Sequence, residues 1–145
     1  MKKDLNKRKE MPGVILGLGC RPGTPVAILE RALGEGLARV GLGPEAVQGV
    51  ATIDRRGEEA GIQDLCRGHA WPLWCYPAEA LARVPVPHPS AVLRRRLGTG
   101  SVAAAAALLA AGAPVRDLLL ERHVCRDGEG QVVVAVACLP DMGAG

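Results

Sequence analysis

The apolar positions change rhythm along the chain, and each rhythm predicts an element. Val14-Ile15-Leu16-Gly17-Leu18 is a short continuous apolar run, as a strand buried on both faces has. The turn Gly19-Cys20-Arg21-Pro22-Gly23-Thr24 follows. Val26, Leu29, Leu33, Leu37 and Val40 then recur at helical spacing and predict a helix over 25–40. Thr24 is expected as its N-cap and Pro25 at its first position. Glu35 and Arg39 are expected to pair across one turn. Gly34 and Gly36 weaken the helix by about 1 kcal/mol each relative to alanine. Val47 to Ile53 reads as a second strand, ending at the polar loop Asp54-Arg55-Arg56-Gly57. A second helix places Ile62, Leu65, Cys66 and His69 on one face. Residues 71–76 form a short third strand, and Pro77 opens a helical turn to about residue 83.

Three alternating prolines make 84–89 an extended crossing segment. Ser90 is expected to cap a helix to Leu97, before a break at Gly98-Thr99-Gly100. Ser101 then caps an alanine-rich helix closed by Gly112. Strands over 115–122 and 131–138 flank Arg126-Asp127-Gly128-Glu129-Gly130, where Asp127-Gly128 signals a hairpin. The order β-α-β-α-β-α-α-β-β predicts a single three-layer α/β/α domain over 12–140. Its sheet is mixed and mostly parallel, with a C-terminal β-hairpin.

Composition narrows the core and the chemistry. A chain of 145 residues buries about 70% of its unfolded surface and needs no staples. With two Trp, one Tyr and no Phe, its core is aliphatic. The only lysines are Lys2, Lys3, Lys7 and Lys9, so a P-loop lysine or a Schiff base in the folded body is excluded. The first ten residues carry the whole net charge of +3, and residues 1–11 read as a disordered basic tail. That tail has no apolar region of the kind a signal peptide needs, and no run of apolar residues is long enough to span a bilayer. So few rings and so little charge argue against nucleic acid and against a membrane as partners. Five cysteines without a C-x-x-C spacing argue against a disulfide framework or a zinc ribbon and suggest a reducing, cytoplasmic setting. No metal and no cofactor are expected. Cys66 and Cys138 read as small buried hydrophobes.

In open α/β sheets ligands bind beyond the carboxyl ends of strands. The first such end is Gly17-Leu18-Gly19-Cys20-Arg21-Pro22-Gly23-Thr24. Its glycines allow close backbone approach, its amides favour an anion, and Arg21 can grip a carboxylate. Its glycine spacing is not the dinucleotide fingerprint. The second end is Thr52-Ile53-Asp54-Arg55-Arg56-Gly57-Glu58-Glu59, where the two glutamates suit the first turn of a helix. The third candidate is Gly98-Thr99-Gly100-Ser101, another glycine-rich helix start. Asp54 and His88 are the candidate acid–base groups.

Four ordered segments together resemble the CobE family, which is related to the C-terminal domain of the cobalamin-biosynthesis protein CbiG. They are Gly17-Leu18-Gly19-Cys20-Arg21-x-Gly23-Thr24, Ala51-Thr52-Ile53-Asp54, Val86-Pro87-His88-Pro89-Ser90 and Gly98-Thr99-x-Ser101-Val102-Ala103 with the alanines after it. The closing Val132-Val133-Val134-Ala135-Val136-Ala137 also fits. The resemblance spans about residues 12–139 and implies a role in building the corrin ring of vitamin B12. CbiG-type proteins open the ring-A lactone of a cobalt-precorrin with an additional N-terminal region. This chain looks like the stand-alone CobE form, associated with the oxygen-dependent pathway and with handling of corrinoid intermediates. The residues expected to bind such a polycarboxylate are Gly17, Gly19, Cys20, Arg21, Gly23, Thr24, Thr52, Arg56, Ser90, Gly98, Thr99 and Ser101. Two alternatives stand beside binding: hydrolysis of a lactone or carbon–carbon bond through Asp54 or His88, and docking to corrin methyltransferases. Other cobalamin-biosynthesis enzymes and a homodimer are the further partners this implies. The chain departs from the family pattern at Ala104, where an acid is common, and at Arg56, where a lysine is common. Glu121 to Arg126 also stand where the family often has lysines.

Overall fold

A computed structural model describes residues 13–87, 102–128 and 130–140 of the protein. Five strands form one sheet in the order β3-β2-β1-β5-β4. They are β1 (Val14–Cys20), β2 (Val47–Ile53), β3 (Leu73–Tyr76), β4 (Leu118–Asp127) and β5 (Gly130–Cys138). β1 pairs in parallel with β2, and β2 with β3. β5 is antiparallel to both β1 and β4. Four strands therefore point one way and β5 alone runs back between them. This is the mixed, mostly parallel sheet with a closing hairpin that the element order predicts.

Helices α1 (Val26–Arg39) and α2 (Ala60–His69) cover one face. α3 (Ala78–Ala82) and α4 (Val102–Ala111) cover the other. The two faces are built from different residues. Leu29, Leu33 and Leu37 of α1 and Ile62 and Leu65 of α2 pack on Leu16, Leu18, Val132, Val134 and Val136. Beneath α4 the strands present small side chains, Ala51, Ala135 and Ala137, around Ile15 and Ile53. The period-2 alternation of β5 thus sends Val132, Val134 and Val136 to one face and Ala135 and Ala137, with Val133, to the other. Gly17 completes the arrangement. A Cβ there would lie 1.8 Å from the Ala103 carbonyl oxygen, so α4 rests directly on the backbone of β1.

The bounds of β2 coincide with the apolar run that predicts it, and α1 differs by one residue at each end. Three local expectations are corrected. β4 runs to Asp127 rather than ending near residue 122. It is an edge strand, so its Arg122 and Arg126 point to water and read in sequence as loop. The N-cap of α1 is Pro25, with no side-chain cap, and the Thr24 hydroxyl instead donates to the Arg21 carbonyl at 2.7 Å. Glu35 pairs with Arg31, one turn back, at 3.3 Å, because Arg39 reaches across to the Arg122 carbonyl and His123 of β4. The predicted helix over 90–97 and the Ser90 and Ser101 caps lie outside the described residues.

Candidate functional site

β1 and β2 end side by side, and the loops beyond them meet. The link begins inside the sheet, where the fully buried Thr52 hydroxyl donates to the Leu18 carbonyl at 2.7 Å. One step outward, Arg56 Nε donates to the Cys20 carbonyl at 2.8 Å. The arginine belongs to a short 3-10 turn, Asp54–Arg56, that reverses the chain after β2. Outermost, the Gly23 amide donates to the Glu59 carboxylate at 2.7 Å. Glu59 is the N-cap residue of α2 but does not cap that helix with its side chain. Gln63, one turn into α2, returns to the Gly57 carbonyl at 2.5 Å. The start of α2 is pressed against the first loop, since a Cβ on Gly61 would lie 2.5 Å from the Thr24 carbonyl oxygen. The positive ends of α1 and α2 therefore converge on one rim.

The candidate residues divide by what their polar atoms already do. Thr24 and Thr52 are buried with their hydroxyls committed to backbone carbonyls. Gly17 sits under α4. Arg21 and Asp54 are exposed on the rim, and Gly19, Cys20 and Arg56 are half-buried between them. Gly23 takes φ +78 with open space where a side chain would be, a conformation suited to glycine. Burial pushes the Cys20 thiol up to about 11, with the Glu59 charge adding to the effect and Arg56 opposing it. The thiol is protonated at neutral pH and is a poor nucleophile there. His88, Ser90, Gly98, Thr99 and Ser101 lie outside the described residues. Among the described residues no group of three His, Cys, Asp or Glu side chains could hold a metal. No described helix is long and apolar enough to cross a membrane.

Glu59 stands in the sequence argument for a site only as an acid expected in the first turn of a helix, whereas it precedes α2 as its N-cap residue, and Gln63 has no place there. Their partners are Gly23 and Gly57. Glu59 lies 36 positions from Gly23, so only the tertiary fold pairs them.

Residues 14–137 match the family described as Cobalamin synthesis G C-terminus. The chain belongs to this family. A Sinorhizobium protein named Protein CobE is 36% identical over 106 residues, covering 69% of this chain and 66% of its own. The cobalt-precorrin-5A hydrolase of Priestia megaterium is 26% identical over 148 residues. That match covers 95% of this chain but 38% of the hydrolase, so the chain spans well under half of that enzyme. The crystal structure of CobE, described as a protein from the cobalamin (vitamin B12) biosynthetic pathway, superposes with a TM-score of 0.72 at 30% identity. The superposition covers 88% of this chain and 91% of that one. The open α/β fold and the family assignment thus rest on sequence and structure together.

Proposed function

We propose that this cobalamin-biosynthesis domain binds a corrin-ring intermediate by its carboxylates, at the rim formed by the β1 and β2 loops. Corrin precursors carry a skirt of acetate and propionate groups around a flat apolar ring. A binder therefore needs several cationic or amide donors spaced along one edge. The observation that carries the reading is the meeting of Arg21, Arg56 and the Gly23 amide at two adjoining strand ends, beside two converging helix starts. Arg21 is exposed, while Arg56 is anchored through Nε, and a guanidinium so held has two further NH2 groups to offer a ligand. Gly19 and Cys20 form the floor between them, Thr24 and Thr52 hold the loops in shape through hydroxyls bound to backbone carbonyls, and Gly17 lies under α4. Each charge-assisted bond contributes about 1.5–3 kcal/mol, so three or four offset the association costs and burial of the apolar ring supplies the remainder of a micromolar affinity.

The test is a titration with cobalt-containing and metal-free corrin acids, followed by visible absorption and by quenching of Trp71 and Trp74. Saturable micromolar binding is expected, weakened by salt and about tenfold by Arg21→Ala. Absence of binding up to hundreds of micromolar overturns the reading and favours docking to other enzymes of the pathway. A second reading, hydrolysis of a ring lactone, draws on the name of the Priestia megaterium relative and on the exposed carboxylate of Asp54. It requires turnover of a lactone-bearing corrin acid that Asp54→Asn abolishes while binding persists. Lack of turnover removes it.

A further inference from the structure

The Gly23 amide is already occupied. Its acceptor is not solvent but a carboxylate of the same chain, Glu59, at 2.7 Å. The side chain reaches there at the expense of a more local use: Glu59 stands at the N-cap of α2 and leaves that helix start without a side-chain cap. Gly23 is exposed and the contact lies at the surface, with open space where a side chain would be, so solvent reaches the loop that carries the amide. The two loops keep other ties when Glu59 leaves. Arg56 still holds the Cys20 carbonyl, Thr52 the Leu18 carbonyl, and Gln63 the Gly57 carbonyl. The Arg21 amide remains bonded to the Gln131 carbonyl of β5. Release of the outermost contact therefore costs the loops little of their shape.

We infer that Glu59 is an internal stand-in for a ligand carboxylate, an autoinhibitory contact that an incoming polycarboxylate must displace from the Gly23 amide. The inference rests on the reading of the rim as a carboxylate site. It adds that the site is self-occupied when empty of ligand, and that binding is an exchange of one carboxylate for another. Glu59 also carries a negative charge into the field that Arg21 and Arg56 make favourable to anions. Its displacement outward, or its neutralisation, raises the attraction for the ligand. Apparent affinity is reduced by the fraction of molecules in which the internal carboxylate holds the amide. A structural brace that stays in place shares the charge effect but leaves the Gly23 amide bonded to Glu59 when ligand is bound.

The experiment compares the whole protein with its Glu59→Gln variant, using cobyrinic acid as the probe and the Gly23 amide resonance as a second readout. Glutamine keeps the length and one oxygen acceptor, removes the charge and turns the other oxygen into an amide donor. Glu59→Gln is expected to bind about three- to tenfold more tightly than the unaltered protein, because a neutral acceptor competes less well than a charged one. In the unaltered protein the Gly23 amide resonance should move with the same midpoint as the absorption change. Glu59→Ala, checked for its thermal transition, should also bind more tightly. If the probe binds but Glu59→Gln leaves affinity unchanged or weaker, the exchange is overturned and the rim reading survives. A Gly23 resonance that stays fixed at saturation has the same meaning. If neither protein binds the probe, the rim reading falls and the exchange falls with it.

Discussion

The two faces of the sheet are covered by helices of opposite character. α1 and α2 stand off the strands on leucine, isoleucine and valine side chains. α4 carries five consecutive alanines and lies against Gly17, Ala135 and Ala137 with almost nothing between backbone and backbone. The first face is a jigsaw of large pieces and is stabilised mainly by apolar area removed from water. The second buries few carbon atoms per residue and depends on close approach. The fringes differ as well. α1 and α2 are edged by polar pairs: ion pairs of Arg31 with Glu35 and Asp127 and of Arg67 with Asp64, and hydrogen bonds between His123 and Glu35 and between His69 and Glu30. α4 contains no charged residue. One sheet thus shows two solutions to the same burial problem, one that depends on the volume it buries and loses stability when that volume is removed, the other intolerant of any gain in volume.

The sharpest break in this contrast is Gly17→Val. Even the Cβ alone would stand 1.8 Å from the Ala103 carbonyl oxygen, and backbone cannot rotate away as a flexible side chain can. We expect a loss of more than about 3 kcal/mol or failure to fold, measured by urea unfolding. A value within 1 kcal/mol of the unaltered protein would show that α4 slides freely. Next in size is a paired test of the asymmetry. Leu33→Ala, at a buried position under α1, should cost about 3 kcal/mol by leaving a cavity. Ala106→Leu, at a buried position of α4, should cost about 2 kcal/mol by overpacking. The faces are alike after all if Ala106→Leu is neutral.

The smallest effect belongs to the charged fringe. Hydrogen bonds from His123 first, and then from Arg31, hold the Glu35 carboxyl below its usual value. A depressed carboxyl stabilises the fold above its unfolded pKa, near 4.5, and that contribution disappears as pH falls through the folded value. Stability should therefore decline more steeply below about pH 4.5 in the unaltered protein than in Glu35→Gln, read as urea midpoints across that range. Glu35 is exposed, so the difference is small. Identical pH profiles would remove Glu35 as a contributor.

The layer architecture was legible because hydrophobic period encodes it. Val47 to Ile53 and the leucine stripe of α1 each carry their own evidence in consecutive residues. The far end of β4 was illegible for the reverse reason. An edge strand meets water along one side, so Glu121-Arg122-His123 carries no apolar alternation. At the rim, glycines and Arg21 mark a strand end in sequence. The partner chosen by each polar atom does not show there. Arg39 answers to β4 rather than to Glu35, Thr24 to its own turn rather than to the helix, and Glu59 to a loop 36 residues away. Such choices depend on which groups the fold brings within 3 Å, and that is settled only after the sheet has assembled.

β5 has a consequence for how the molecule is made. It is the last strand of the domain, yet it lies beside β1, the first, and separates it from β4. While the ribosome is still extending the chain, β1 can join β2 and β3, but its other edge has no partner. That edge is a run of Val14, Ile15, Leu16 and Leu18, apolar and bare of charge. It stays open to neighbouring nascent chains until residues 130–138 emerge, and it closes in a single late insertion. Protection of that edge until β5 arrives therefore bears on the yield of this domain more than on its final stability.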